Sequence, residues 1–198
     1  MSKAKPIAFV VHHGTTGHNE RGLYTGMINV PLSGKGVVDA DRVHRFLSAQ
    51  PIERVLSSPL CRAMRTAEII KPNLCVEPCP DLFPWQFPEF WGEKKEEFEE
   101  QLEQYIKSPD KRPKEGETLN EFMDRTGDFF EDNLNEHCLT LFVAHTTNLI
   151  ALCDLLDGTQ KHDTCIQPGG VIAIYPDEKN GGWSYEILLG EESKEAVS

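Results

Sequence analysis

The chain has 198 residues, of which 39% are hydrophobic, so it is long enough to bury one substantial core. Its formal net charge of -12 argues against nucleic acid or an anionic membrane as the main partner, because both select for clustered lysine and arginine. A small phosphorylated substrate remains compatible with this charge, since a few cations and N–H groups in a concave site can bind it. We expect one domain over residues 1–198, with a single insertion.

The cysteines and the first residues bear on the cellular location. Six cysteines without CxxC spacing do not have the density of a disulfide-stapled secreted domain, and we expect reduced thiols. Residues 1–6 lead directly into a short apolar run, too short for a secretion signal or a membrane span. The expected location is the cytoplasm, and the oligomeric state is left open. The cysteines are Cys61, Cys75, Cys79, Cys138, Cys153 and Cys165.

The first half of the chain predicts alternating strands and helices. Residues 14–36 are rich in glycine, threonine and asparagine, and a loop of this length is usually functional or disordered. Ser58 is expected to cap the second helix, with Pro59 in its first turn. The predicted elements are a strand at 7–11, a helix at 37–49, a strand at 52–56, a helix from Ser58 to about Ile70 and a short strand within 76–82.

The second half predicts an insertion and the rest of the sheet. Residues 83–117 contain several prolines and two tryptophans, and we expect a small helical insertion that covers the site. Its acidic run at 93–100 is typical of a solvated helix face. Thr118-Leu119-Asn120-Glu121 is a capping box that opens another helix. The remaining predictions are a strand at 139–144, a helix at 148–156, strands at 171–175 and 183–188, and a frayed tail at 190–198. Together the elements predict an α/β three-layer sandwich, with a mostly parallel central sheet flanked by helices.

Two of the apolar strands each deliver a histidine. His12 and His13 follow the first strand, and His145 follows the strand at 139–144. If these strands are neighbours in a parallel sheet, His13 and His145 lie in one crevice at the carboxyl ends, where open α/β sheets bind ligands. A neutral imidazole is a nucleophile near pH 7 and its protonated form stabilises anions, so the pair indicates phosphoryl transfer.

Other polar residues are positioned to assist that chemistry. Arg62 falls in the first turn of a helix, and its guanidinium is a candidate to bind the transferred phosphoryl group. Gly14 would permit close approach of the backbone to a ligand, and Asn19 can donate from the loop. Each of these residues alone is more often an ordinary structural residue. Their convergence at matching strand ends favours the functional interpretation.

The motifs of the chain resemble those of the histidine phosphatase superfamily, which has the phosphoglycerate mutase-like fold. The first is Val11-His12-His13-Gly14-Thr15-Thr16, and the second is Leu56-Ser57-Ser58-Pro59-Leu60-Cys61-Arg62-Ala63. Gly116-Glu117-Thr118, with Arg125 further on, and Val143-Ala144-His145 are similar to two later signatures. The resemblance implies a transient phosphohistidine at His13, phosphate binding by Arg62 and His145, and no metal or other cofactor.

Several positions depart from the family pattern. His12 stands where arginine normally precedes the nucleophile, and Thr146 replaces the glycine that generally follows the second histidine. Pro84 stands where the family usually has the glutamate that protonates the leaving group. Leu23 replaces a common phosphate-binding arginine, and Arg21 is the nearby candidate to substitute for it. His12, Arg21 and Thr146 are therefore expected to bind substrate together with Gly14 and Asn19.

These observations predict a phosphomonoester hydrolase that acts on a small phosphorylated substrate or binds inorganic phosphate. The alternative is a catalytically degenerate phosphate-binding or protein-interaction domain of the same fold, and a mutase is less favoured. Without a general acid, a site of this kind typically loses two to four powers of ten in rate, so good leaving groups suffer less. Candidates for a displaced acid are Asp81, Glu89 and Glu20. The aromatic residues of the insertion are assigned no contact role.

Overall fold

The structure, a computed structural model, describes residues 4–159, 166–177 and 182–191. A six-stranded mixed sheet lies at its centre, in the order β3-β2-β4-β1-β5-β6. The first four strands run parallel to their neighbours, whereas the last two are antiparallel. This confirms the mostly parallel central sheet. The strands are β1 (Ala8–His12), β2 (Arg54–Ser57), β3 (Val76–Pro78), β4 (Thr140–Ala144), β5 (Ile166–Pro176) and β6 (Trp183–Glu191).

Helices cover both faces of this sheet. The inner strands are buried on both sides, and successive residues of β1 alternate between two cores. Phe9 and Val11 pack against α2 (Gly34–Phe46) and α3 (Cys61–Ile70), whereas Ala8 and Val10 face α5 (Leu119–Asn133) and α6 (Thr146–Asp157). None of the helices in the described part is both long and apolar enough to cross a bilayer. The helices are α1 (Gly17–Glu20), α2 (Gly34–Phe46), α3 (Cys61–Ile70), α4 (Glu99–Lys107), α5 (Leu119–Asn133) and α6 (Thr146–Asp157).

Helix starts are where the sequence-based expectations fail most clearly. The helix α3 begins at Cys61 with Leu60 as its N-cap, so the predicted cap at Ser58 is wrong. Ser58 lies three residues before Cys61, and its hydroxyl contacts Nε2 of His145 at 2.8 Å. The helix α2 begins at Gly34, three residues earlier than expected, because the Ser33 hydroxyl caps it by accepting from the Gly36 N–H.

The predicted capping box and the predicted frayed tail can also be compared with the structure. The Thr118 capping box is confirmed, since the Thr118 hydroxyl accepts from the Glu121 N–H and the Glu121 carboxylate accepts from the Thr118 N–H. Strand β6 continues to Glu191, so the first two residues of the predicted frayed tail belong to the sheet. The rest of that tail, and Cys165, lie outside the described residues.

The insertion is joined to the long loop after β1 by main-chain hydrogen bonds. It contains short 3₁₀ turns at Pro88–Phe90 and Lys95–Glu97, followed by α4. The Tyr24 N–H donates to the Glu93 carbonyl at 2.9 Å, and the Gly92 N–H returns to the Tyr24 carbonyl at 2.8 Å. The Lys95 N–H donates to the Gly22 carbonyl at 3.1 Å. These bonds place the insertion beside the carboxyl ends of the parallel strands.

Candidate active site

The two histidine strands are neighbours, as expected. Strand β1 pairs with β4 in parallel register, with His12 opposite Ala144, and the His13 N–H donates to the Ala144 carbonyl at 3.1 Å. This bond extends the ladder by one residue, so His13 and His145 leave the sheet side by side. Their ring centroids are 5.1 Å apart, and both side chains are buried. The sheet thus brings both imidazoles into one crevice.

Arg62, in the first turn of α3, joins the two histidines. Its Nε–H donates to Nε2 of His13 at 3.1 Å, and its Nη2 lies 3.3 Å from Nδ1 of His145. The guanidinium is also held by main-chain carbonyls, with Nη1 donating to Ile28 at 2.9 Å and Nη2 donating to Gly26 at 2.7 Å. These contacts come from three parts of the chain, so the planar fork is fixed before any ligand binds.

These contacts determine which imidazole nitrogens carry protons. A guanidinium can only donate, so Nε2 of His13 and Nδ1 of His145 must both be acceptors. The proton of His13 then lies on Nδ1, which donates to the Gly14 carbonyl at 2.8 Å. The proton of His145 lies on Nε2, which donates to the Ser58 hydroxyl. His13 consequently presents a lone pair at Nε2, which is the nitrogen that faces Arg62.

Burial sets the charge of this site. It lowers the pKa of His12 to about 4, and burial, together with neighbouring positive charge, lowers the pKa of His13 and His145 well below the ordinary 6.5. Burial also lowers the pKa of Arg62 to about 10, which leaves the guanidinium charged at neutral pH. The site therefore combines three neutral imidazoles with one buried cation.

Within the described residues, that cation has no carboxylate partner. Arg62 is 1% exposed, and none of the ion pairs in the described part of the chain includes it. All its hydrogen-bond partners are neutral carbonyls or imidazoles. A buried charge without an opposite charge is costly to the folded protein, and a bound anion would offset that cost.

Three of the expected binding residues lie around this centre. The His12 ring contacts the Thr146 hydroxyl at 3.1 Å, and its Nδ1 donates to the Ile166 carbonyl at 2.9 Å. The Oδ1 of Asn19 accepts from the Thr16 N–H and hydroxyl, and these bonds cap the start of α1. The Nδ2 amide group of Asn19 can then donate to a ligand. His12, Thr146 and Asn19 all line the cavity that contains His13.

Gly14 and Arg21 are expected binding residues that the structure places elsewhere. A Cβ on Gly14 would meet the Gly36 carbonyl oxygen at 2.3 Å, so this glycine is required by packing of the loop against α2. The Gly14 N–H donates to the Thr66 hydroxyl and is not directed at a ligand. Arg21 is exposed and donates to the Gly17 carbonyl of its own helix, away from the cavity. Neither residue lines the cavity, and the Gly14 carbonyl contributes by accepting the hydrogen bond from Nδ1–H of His13.

The cavity around His13 has a volume of about 270 Å³, and the insertion forms one of its walls. That wall comprises Pro84, Lys95, Phe98, Glu99 and Leu102. Pro84 is held in place because the preceding carbonyl, of Phe83, accepts from both Asn148 and Arg125. A wider depression of about 890 Å³ lies at the amino ends of the strands, but open α/β sheets bind ligands at the carboxyl ends.

Sequence reasoning missed Ser58, Lys95 and Glu99. The acidic run at 93–100 has the composition of a solvated helix face. Its main-chain bonds to the loop after β1 place Lys95 and Glu99 beside the histidines. Two of the three expected alternative acids lie away from the histidines, since Glu89 accepts from Tyr105 and Asp81 is exposed and outside the cavity. Glu20 accepts from Ser33 and lines an adjoining cavity that shares His12 and Thr146 with the cavity around His13. Of the residues that the structure describes, Glu99 is the one with a carboxyl group that lines the cavity around His13.

The fold and the site define an α/β protein with a buried histidine–arginine cluster at the carboxyl edge of its sheet. Residues 8–182 match the model of the histidine phosphatase superfamily (branch 1), and the chain belongs to this family.

Individual relatives include both mutases and phosphatases. The chain is 28% identical over 209 residues to 2,3-bisphosphoglycerate-dependent phosphoglycerate mutase 2 of Arabidopsis thaliana, a match that covers 84% of this chain and 63% of the mutase. It is 42% identical over 62 residues to the adenosylcobalamin/alpha-ribazole phosphatase of Salmonella typhimurium, covering 31% of each protein. The chain thus spans less than two thirds of these curated relatives. The crystal structure of the alpha-ribazole phosphatase from Shigella flexneri superimposes with a TM-score of 0.75 at 25% identity, covering 91% of this chain and 95% of that one.

Proposed function

We propose that this protein is a phosphomonoester hydrolase that acts on a small phosphorylated substrate through a phosphohistidine at His13. The observation that carries this proposal is the buried, charged Arg62, whose partners among residues 4–159, 166–177 and 182–191 are all neutral and whose Nε–H is directed at the lone pair of His13. A phosphoryl group bound there would supply the missing negative charge. It would also lie within reach of a neutral imidazole nucleophile.

The proposed roles follow from the hydrogen bonds. Nε2 of His13 attacks phosphorus, while the Gly14 carbonyl holds its Nδ1–H and orients the ring. Arg62 stabilises the charge on the equatorial oxygens, and its contact with His13 lengthens as those oxygens accept its N–H groups. His145 binds the same group from β4, held in place by the Ser58 hydroxyl.

The outer part of the phosphate site is supplied by the loop and the insertion. Asn19, Thr146 and His12 line the cavity next to the reacting group. We assign Lys95 as the further cation that was expected at Arg21, because it lies on the segment bonded to Gly22 and lines the same cavity. Its charge is exposed, so it would attract an incoming anion in a salt-dependent way.

The second half of the reaction is hydrolysis of the phosphohistidine. Water attacks phosphorus, the P–N bond breaks, and inorganic phosphate leaves with Nε2 of His13 restored as an acceptor. The relatives named as phosphatases support a small phosphorylated substrate. The free thiols of Cys61, Cys75, Cys79 and Cys138 support a reducing, cytoplasmic location.

A second candidate is a phosphate-binding domain of the same fold that does not turn over. It is favoured by Pro84, a residue that has no proton to donate and forms part of the buried cavity wall. Such a domain would retain the anion site around Arg62 and would not form the phosphohistidine at an appreciable rate.

Labelling separates the two candidates. The protein is incubated with ³²P-labelled acetyl phosphate, which needs no general acid, and is then tested for acid-labile, base-stable label. We expect label on the wild-type protein and on His137→Asn, an exposed histidine outside the cavity. The same substitution at the nucleophile, His13→Asn, should abolish it. If wild type binds vanadate in calorimetry yet acquires no label, the non-catalytic candidate is correct.

A further inference from the structure

An apolar cavity adjoins the phosphate site. It has a volume of about 150 Å³ and shares four wall residues with the cavity around His13, namely Tyr24, Leu102, Thr147 and Ile150. Its other walls include Trp85, Phe87 and Phe122 from the aromatic core of the insertion and α5, together with Ala151 of α6. A cavity of about this size lined by hydrocarbon side chains is large enough to hold a benzene ring.

The polar atoms of these walls are already engaged. The Tyr24 hydroxyl donates to the Trp85 carbonyl at 2.8 Å, and the indole N–H of Trp85 donates to the Glu117 carbonyl at 3.1 Å. The Thr147 hydroxyl accepts from the Trp85 N–H. An occupant therefore meets ring faces and methyl groups, which select an apolar or aromatic group over a sugar or a charged one.

The same walls are rigid. Trp85 and Phe87 are 4% and 1% exposed, and their ring centroids lie 4.2 Å apart. Trp85 also stacks on Phe122, with the planes only 15° from parallel. Since these bonds and contacts hold the walls in place, the cavity is a preformed one, and little ordering cost is added when a ring enters it.

Pro84 supplies an independent constraint on the substrate. Where no carboxylic acid protonates the leaving oxygen, the rate depends strongly on how stable the leaving anion is. A phenol, with a pKa of about 10 like that of tyrosine, departs far more readily than an alkyl alcohol, whose pKa is near the value of about 15.7 for water. Glu99 also lines the histidine cavity, but it is exposed on α4 whereas Pro84 is a buried wall residue, so we assign Glu99 no proton transfer.

We infer that the substrates are phosphate monoesters of aromatic alcohols, with the phosphate at Arg62 and the ring in the adjoining apolar cavity. This inference rests on the proposed function. Nε2 of His13 forms a bond to phosphorus as the bond from phosphorus to the aryl oxygen breaks, and the oxygen leaves with the electron pair as a phenolate. The phenolate then takes a proton from water, and a second water releases inorganic phosphate from His13.

Binding of phosphonates tests the apolar site without turnover. Phenylphosphonate and methylphosphonate carry the same anionic group, and titration calorimetry on the full chain measures both. We expect the wild-type protein to bind phenylphosphonate at least about tenfold more tightly, since burying one ring is worth more than the about 1.4 kcal/mol that a factor of ten requires. Equal affinities would overturn the inference.

Filling the cavity provides the second arm of the test. Ala151→Leu projects three additional carbons into it from α6, and Ala49→Leu is the same change at an exposed position of the chain. Ala151→Leu should remove the phenylphosphonate preference and lower kcat/KM for phenyl phosphate about tenfold. Its turnover of acetyl phosphate, whose leaving group is good but small, should change less than about twofold. Met123→Trp fills the cavity from α5 and replaces Ala151→Leu if that variant does not fold.

The outcomes distinguish the inference from the proposed function. If acetyl phosphate labels His13 but no variant affects phenyl phosphate selectively, the hydrolase stands and the aromatic site is refuted. If phenylphosphonate is preferred and Ala151→Leu abolishes that preference, but no donor ever labels His13, the aromatic site stands and the hydrolase is refuted.

Discussion

Three neutral histidines packed around one arginine should make this fold sensitive to mild acid. The pKa of His12 is lowered by burial from 6.5 to about 4, and those of His13 and His145 are lowered in the same direction. Between pH 6.5 and 4 the unfolded chain therefore binds more protons than the folded one. The free energy of unfolding must then fall as the pH is lowered through this window, and it is recovered above pH 6.5.

His12→Asn isolates one of these titrations. The asparagine amide can still donate to the Ile166 carbonyl, which now accepts from Nδ1 of His12, but it cannot take up a proton. The pKa of His12 is 6.5 in the unfolded chain and about 4 in the folded one. This difference lowers the free energy of unfolding by about 2 kcal/mol at pH 5 and about 3 kcal/mol at pH 4, relative to pH 8. Wild type should lose this much more stability than the variant over the same interval.

Urea unfolding followed by circular dichroism at pH 8, 6, 5 and 4 measures the difference directly. His137→Asn, at an exposed position outside the site, should follow the wild-type curve. Any general effect of acid on the carboxylates cancels in the comparison, since all three proteins share them. Parallel curves for wild type and His12→Asn would refute the account, because they would mean that His12 takes up its proton equally well in both states.

Four further substitutions test other parts of the site. Arg62→Lys should lower kcat for acetyl phosphate about a hundredfold, measured by steady-state hydrolysis, because a point charge replaces a fork that reaches both histidines; an unchanged kcat would rule out a transition-state role. Lys95→Gln should weaken vanadate inhibition several-fold at about 20 mM salt and have little effect at about 500 mM, since its charge is exposed; a deficit that persists at high salt would indicate direct contact. Pro84→Glu should raise kcat/KM about a hundredfold for alkyl phosphates and much less for phenyl phosphate, and an equal gain for both would show that proton donation is not what the wild-type site lacks. In wild type, calorimetry with sulfate should show affinity rising as pH falls from 7 to 5, because binding favours protonated His12, and His12→Arg should flatten that profile; an unchanged profile would mean that residue 12 does not sense the anion.

The central geometry was predictable because parallel strands impose it. Apolar runs that end in His13 and His145 specify two buried strands, and neighbouring parallel strands must place those residues at the same edge. Arg62 was predictable for a similar reason, since the first turn of a helix that follows a strand begins at that edge. These inferences need only local patterns and sheet topology.

The errors have a common cause in contacts between distant parts of the chain. Ser58 has the residue type of an N-cap, but its hydroxyl is bonded to His145, which is 87 residues away. Gly14 was expected to let the backbone approach a ligand. In the structure, the backbone of Gly36 occupies the space that a Cβ at position 14 would need. Lys95 belongs to a run with the composition of a solvated helix, and main-chain bonds from its segment to Gly22 and Tyr24 bring it to the cavity. Composition and spacing carry no information about any of these partners.

The bonds that tie the insertion to the loop after β1 have a consequence for how the molecule can diverge. They join main-chain atoms of Gly22, Tyr24 and the segment 92–95, so they constrain backbone shape without prescribing side chains. The proposed reacting groups come from the sheet edge and α3, whereas much of the wall proposed to contact the rest of the substrate comes from the insertion. Substitutions in the insertion can therefore change which substrates this fold selects. They leave the side chains at the sheet edge and on α3 unchanged.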